Sequence, residues 1–166
     1  MTLRKSIIAL LVTLGIAAPC LALEIGQTPQ NFSLDSNRGT QFNLSELKGK
    51  VVYVDFWASW CSSCKASMPW LNKLQNQLGD SFQVVAVNLD EQRETAQAFL
   101  QKSGVNLLVA YDPAGTIPEQ FGVQAMPTSF LLDKNGKVAF IHEGFNSKDS
   151  AELEAKIREV VSSSAK

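Results

Sequence analysis

The rhythm of apolar and polar positions changes repeatedly along this chain, and each change predicts an element. Val51 to Trp57 is β-branched and aromatic, with too little polar alternation for an exposed strand. That pattern predicts a central strand buried on both faces. Val84 to Leu89 predicts a second buried strand, and Leu107 to Tyr111 a third. From Cys61 the rhythm turns helical: Met68, Leu71, Leu74 and Leu78 recur at helical spacing, and Pro69 inside that run predicts a kink. A second helix is predicted over Glu91–Ser103, capped by Asp90 and stopped by Gly104, with Ala96, Phe99 and Leu100 inward. A short helix is expected at Ile117–Phe121.

Turn chemistry separates the remaining runs. Phe32–Leu34 and Gln41–Leu44 flank Asp35-Ser36-Asn37-Arg38-Gly39 and predict a β-hairpin, followed by a helical turn at Ser45–Gly49. Residues 24–31 form an irregular leader broken by Gly26 and Pro29. Ser129–Leu132 and Val138–Ile141 flank a tight turn at Asp133–Lys137, which predicts an antiparallel hairpin. An amphipathic helix over Ser147–Val161 closes the chain, with a frayed serine tail at Ser162–Ser164. Strands alternating with helices imply an α/β sheet covered on both faces.

The first 22 residues stand apart from this pattern. Arg4 and Lys5 precede an apolar run from Ser6 to Ala18, and the stretch ends Pro19-Cys20-Leu21-Ala22. This is the layout of a secretory signal peptide. The run falls short of the about 20 apolar residues that span a bilayer, so cleavage is expected rather than a retained transmembrane span. A cut after Ala22 is the main reading and one after Cys20 the alternative. Pro19 stands where a lipoprotein signal has a small residue, which argues against lipid attachment and membrane anchoring at Cys20. The expected organisation is a signal peptide at 1–22 and one domain at 23–166, in the periplasm.

Charge then narrows the partners. The 15 basic residues lose Arg4 and Lys5 on cleavage, so 13 face 16 acidic ones and the net charge is −3. That balance offers nothing for nucleic acid or an anionic membrane to bind. Cleavage also leaves Cys61 and Cys64 as the only thiols.

Those two lie in Trp60-Cys61-Ser62-Ser63-Cys64, between a buried strand and a helix. Cysteines three apart at a helix start can close a disulfide within one turn. Unpaired N–H groups and the helix dipole favour a thiolate there, lowering a thiol pKa from about 8.5 to roughly 3.5–7.5. Cys61 is expected to attack a partner disulfide and Cys64 to resolve the mixed disulfide. A structural zinc site needs four ligands, and beyond the pair the chain offers only His142, read as a strand histidine packing its ring. No metal or other cofactor is expected. A purely structural bridge is disfavoured, because so short a loop removes little entropy from the unfolded chain.

Val54-Asp55-Phe56-Trp57-Ala58-Ser59-Trp60-Cys61-Ser62-Ser63-Cys64-Lys65, with Pro69 behind it and Met126-Pro127-Thr128 far downstream, resembles thioredoxins. The leading hairpin, the Leu47–Lys50 run and an extra strand–helix segment are similar to the TlpA/ResA branch of exported members. The resemblance covers about residues 24–161. It implies a thioredoxin fold: a central mixed sheet flanked by helices, with an N-terminal hairpin and a strand–helix insertion. It implies a protein-disulfide reductase or exchange enzyme acting on exported proteins, apocytochrome c among them, with electrons from a membrane thiol-reductant donor. Carried onto this chain, Pro127 matches the family's cis-proline, with the Met126 backbone and Trp60 beside the substrate. Asp55 matches the acid that moves the proton of the buried cysteine, and burial should raise its pKa.

The chain also departs from the pattern. Ser67 replaces a glutamate frequent in ResA-type members, the Val85–Asn88 stretch lacks the thioredoxin lysine, and Ser62-Ser63 replaces a proline-containing dipeptide. The competing function is a periplasmic copper chaperone, since soft thiolates suit Cu(I). A thiol peroxidase would need a Thr-x-x-Cys arrangement that the chain lacks.

Overall fold

A strand without a polar face must be covered twice, and Val51–Trp57 accordingly runs through the interior of the sheet, buried at every position. The computed structural model describes residues 22–148 and 150–163. The predicted signal segment up to residue 21, Cys20 included, lies outside the described residues, as does Ser164.

In chain order the strands are β1 (Ser33–Ser36), β2 (Gln41–Asn43), β3 (Val51–Trp57), β4 (Phe82–Asn88), β5 (Leu108–Tyr111), β6 (Thr128–Leu132) and β7 (Val138–Glu143). The helices are α1 (Ser62–Leu78), α2 (Arg93–Ser103), α3 (Thr116–Phe121) and α4 (Ser150–Ser163). They form a seven-stranded sheet in the order β2-β1-β5-β4-β3-β6-β7. β3, β4 and β5 are parallel, whereas β6 runs antiparallel to β3, and β7 to β6. This mixed sheet is the thioredoxin arrangement, extended by the β1–β2 hairpin on β5.

Side-chain alternation splits the core in two. Val51, Tyr53 and Trp57 join Cys64, Met68, Leu71 and Leu74 of α1, and Leu153 and Ile157 of α4. Val52, Val54 and Phe56 face the other way, onto Ile117 and Phe121 of α3 and Phe32 and Phe42 of the hairpin. Asp55 has the parity of Tyr53 and Trp57. Its carboxyl therefore belongs to the face that α1 covers.

Two expectations need correction. Asp90 does not cap α2; the helix starts at Arg93 after Gln92, whose side chain makes no capping bond. Asp90 is turned inward instead, towards stronger donors described below. The C-terminal helix continues through Ser163 rather than fraying at Ser162, with the Ser162 and Ser163 hydroxyls donating back to Glu159 and Val160 carbonyls. Helix α1 runs unbroken through Pro69.

Candidate active site

Cys61 closes the loop after β3 and serves as the N-cap of α1, in extended backbone with φ −84° and ψ 111°. Its sulfur accepts the Cys64 backbone N–H at 3.2 Å and lies 3.6 Å from the Ser63 hydroxyl. The two cysteines are joined, Sγ to Sγ at 2.02 Å. Exposure is unequal: Cys61 keeps 7% of its surface and Cys64 none. Trp60, immediately before the pair, is 69% exposed, which for so large an apolar side chain needs a reason.

The loop carrying Trp60 is held from below. The Ser59 backbone N–H donates to both Asp90 oxygens at 3.0 and 3.1 Å, and the Ser59 hydroxyl donates to Oδ1 at 3.0 Å. Asn88 Nδ2 adds a bond to Oδ2 at 2.9 Å. Asp90 and Asn88, at the end of β4, thus fix the approach to Cys61 from the neighbouring strand. Sequence reading missed both, because Asp90 also fits a helix cap and only the fold brings Ser59 to it. Asp90→Ala should cost about 2–3 kcal/mol, since several bonds to one carboxylate vanish together and the part-buried Ser59 N–H loses its partner. A urea midpoint that does not move would refute the clamp.

Asp55 is 1% exposed. Its register neighbours are Ala86 on β4 and Ser129 on β6. The polar neighbour that thioredoxins place on the next strand is therefore replaced by a serine on the opposite side. Burial pushes the Asp55 carboxyl up to about 7, while a hydrogen bond from Ser129 pulls the other way. The Ser67 hydroxyl, where a glutamate was the family alternative, donates to the Cys64 carbonyl at 2.9 Å.

The second loop arrives from β6. The Met126–Pro127 peptide is cis, as the resemblance implied. Gly144 N–H donates to the Pro127 carbonyl and the Thr128 hydroxyl to the Ala125 carbonyl, both at 2.7 Å. Met126 packs on the same core cluster as Cys61 and Cys64. His142 lies in β7 opposite Ser129, its ring stacked on Phe140. Among the described residues no cluster of three or more His, Cys, Asp or Glu side chains could hold a metal ion.

A cysteine pair at the head of α1, a cis-proline loop packed on the same core cluster and this sheet order meet a family match over residues 24–157. The chain belongs to the Redoxin family. Within it the chain is a thiol–disulfide oxidoreductase of the ResA type. It is 34% identical to the thiol–disulfide oxidoreductase ResA of Bacillus thuringiensis over 131 residues, 78% of this chain and 76% of that one. ResA of Bacillus subtilis is 33% identical over 120 residues, covering 72% of this chain and 67% of the relative. Among solved structures, a candidate thiol:disulfide interchange protein DsbE from Chlorobium tepidum is 44% identical with a TM-score of 0.81. That match covers 84% of this chain and 99% of the other.

Proposed function

We propose that this ResA-like protein is exported by residues 1–22 and that its 23–166 domain reduces or exchanges disulfides of exported proteins in the periplasm. Apocytochrome c is the substrate the resemblance points to, and a membrane thiol-reductant supplies the electrons. The observation that carries the reading is the unequal exposure of the two cysteines at the head of α1. Among the described residues no helix is long and apolar enough to cross a membrane.

In the reduced protein, Cys61 attacks the substrate disulfide as thiolate, favoured by the Cys64 N–H, the Ser63 hydroxyl and the helix dipole. One substrate sulfur leaves as a thiolate and a mixed disulfide forms on Cys61. Cys64 then gives its proton to Asp55 and attacks the Cys61 sulfur. The Cys61–Cys64 disulfide forms, the bond to substrate breaks, and two electrons have passed to the substrate. Met126, next to Pro127, offers backbone to an extended substrate segment, and Trp60 covers it from the other side.

Cys64→Ser tests the assignment. It should halt turnover after the first step and accumulate a covalent adduct on Cys61, released by dithiothreitol and visible by mass spectrometry. Absence of any adduct with a protein disulfide, together with stoichiometric Cu(I) binding by the wild type, would favour the copper-chaperone reading instead.

A further inference from the structure

Ser129 occupies the one polar position on the α1-covered face of β6 that stands directly across from Asp55. It is 2% exposed, and Tyr53, two residues before Asp55 on β3, is equally buried. The Tyr53 hydroxyl meets Ser129 Oγ at 2.8 Å. Ser129 stands in register beside Asp55, and its hydroxyl draws the Asp55 carboxyl down against the effect of burial. The second carboxyl oxygen, Oδ2, is buried with no hydrogen-bond partner.

The proton count makes this chain directional. A carboxylate only accepts, and a serine hydroxyl has one proton to give. If Ser129 gave its proton to Tyr53, Asp55 would face only a lone pair. Burial first, and the neighbouring Asp55 charge second, raise the Tyr53 phenol, so it stays protonated and acts as the donor. Tyr53 therefore fills one lone pair of Ser129 and leaves its proton for Asp55.

We infer that Ser129 is a positioning residue for disulfide exchange: held by the Tyr53 hydroxyl, it aims its proton at Asp55 and sets how readily that carboxylate takes a proton from Cys64. The inference rests on the proposed role of Asp55 and adds the control on it. The serine does in this chain what a neighbouring cation would do elsewhere, but by a neutral donor whose orientation depends on a tyrosine.

The test separates this control from the other groups facing Asp55. Those are Tyr53 on its own strand, Cys64 on α1 and Cys61 at its N-cap, in the same core cluster, and His142, which continues the Asp55–Ser129 row onto β7; β4 places Ala86 there and contributes no charge. In the oxidised protein neither cysteine titrates. The Asp55 carboxyl can then be followed alone by carbon NMR, in a His142→Asn background that removes the chain's single histidine. Ser129→Ala should raise the Asp55 midpoint by about one pH unit, because a bond to the charged form is lost. Tyr53→Phe should raise it by less, and Ser129→Thr, which keeps the hydroxyl, should return it to the wild-type position. In single-turnover reduction of a peptide disulfide, Ser129→Ala should then slow resolution up to about tenfold below the shifted midpoint and rejoin wild type at high pH.

An Asp55 midpoint unmoved in both Ser129→Ala and Tyr53→Phe overturns the inference, as does a shift that threonine fails to reverse. Should Asp55→Asn leave the turnover profile unchanged, the Asp55 reading itself falls. If that variant moves the profile while Ser129→Ala does not, only the positioning role falls.

Discussion

Cys61→Ser is expected to abolish insulin-disulfide reduction, by at least about a thousandfold, while leaving the protein folded. Cys61 keeps 7% of its surface, and Cys64 has no exposed surface from which to replace it. Folding should survive because the bridge spans a sequence separation of 3, which constrains the unfolded chain little. In the chain-entropy account so short a loop contributes about 2 kcal/mol at most. The contrast with Cys64→Ser is the informative part. Cys64→Ser should form adducts without turning over, whereas Cys61→Ser should form none. Equal trapping by both variants, or residual turnover in Cys61→Ser, would mean that the exposed sulfur is not the attacking one.

Asp55→Asn is expected to remove a large pH dependence from the stability of the oxidised protein. The native carboxyl is raised from 3.8 to about 7, chiefly by burial. Between those values the native state keeps its proton and the unfolded state gives it up, so unfolding releases protons and stability falls as pH rises. The contribution is present in full below about pH 4 and gone above about pH 7, a loss of ~4 kcal/mol by linkage. Urea denaturation of wild type at pH 5 and pH 8 should show most of that difference. Asp55→Asn should be nearly flat over the same window and more stable than wild type at pH 8. Parallel curves for the two proteins would mean that Asp55 does not titrate in this range. A buried acid that costs stability at working pH is the kind of group a reaction retains.

The reactive pair, the cis-proline and the buried acid were all legible in the sequence, and for different reasons. Cys61 and Cys64 announce themselves by their spacing and by their place between a buried strand and a helix. Asp55 stands out because an acid interrupts an otherwise apolar strand. Pro127 was legible only through the family resemblance, since nothing local distinguishes its peptide bond from an ordinary turn. Asp90 shows how local reading misleads. An aspartate before a helical run is a fair N-cap, yet Ser59, 31 residues earlier, supplies both a backbone and a side-chain donor and draws it away.

Elements whose periodicity is a local property, such as the buried strand at β3 and the apolar face of α1, were determined by the sequence alone. So was the chemistry of the site, because two thiols at a helix start allow few alternatives. The partners of the buried polar groups were decided only by the tertiary structure. Ser129 lies far along the chain from Asp55, and nothing in its own neighbourhood marks it. It becomes the neighbour of that carboxyl because β6 pairs antiparallel with β3 in one register, and a shift of one residue would turn it to the opposite face.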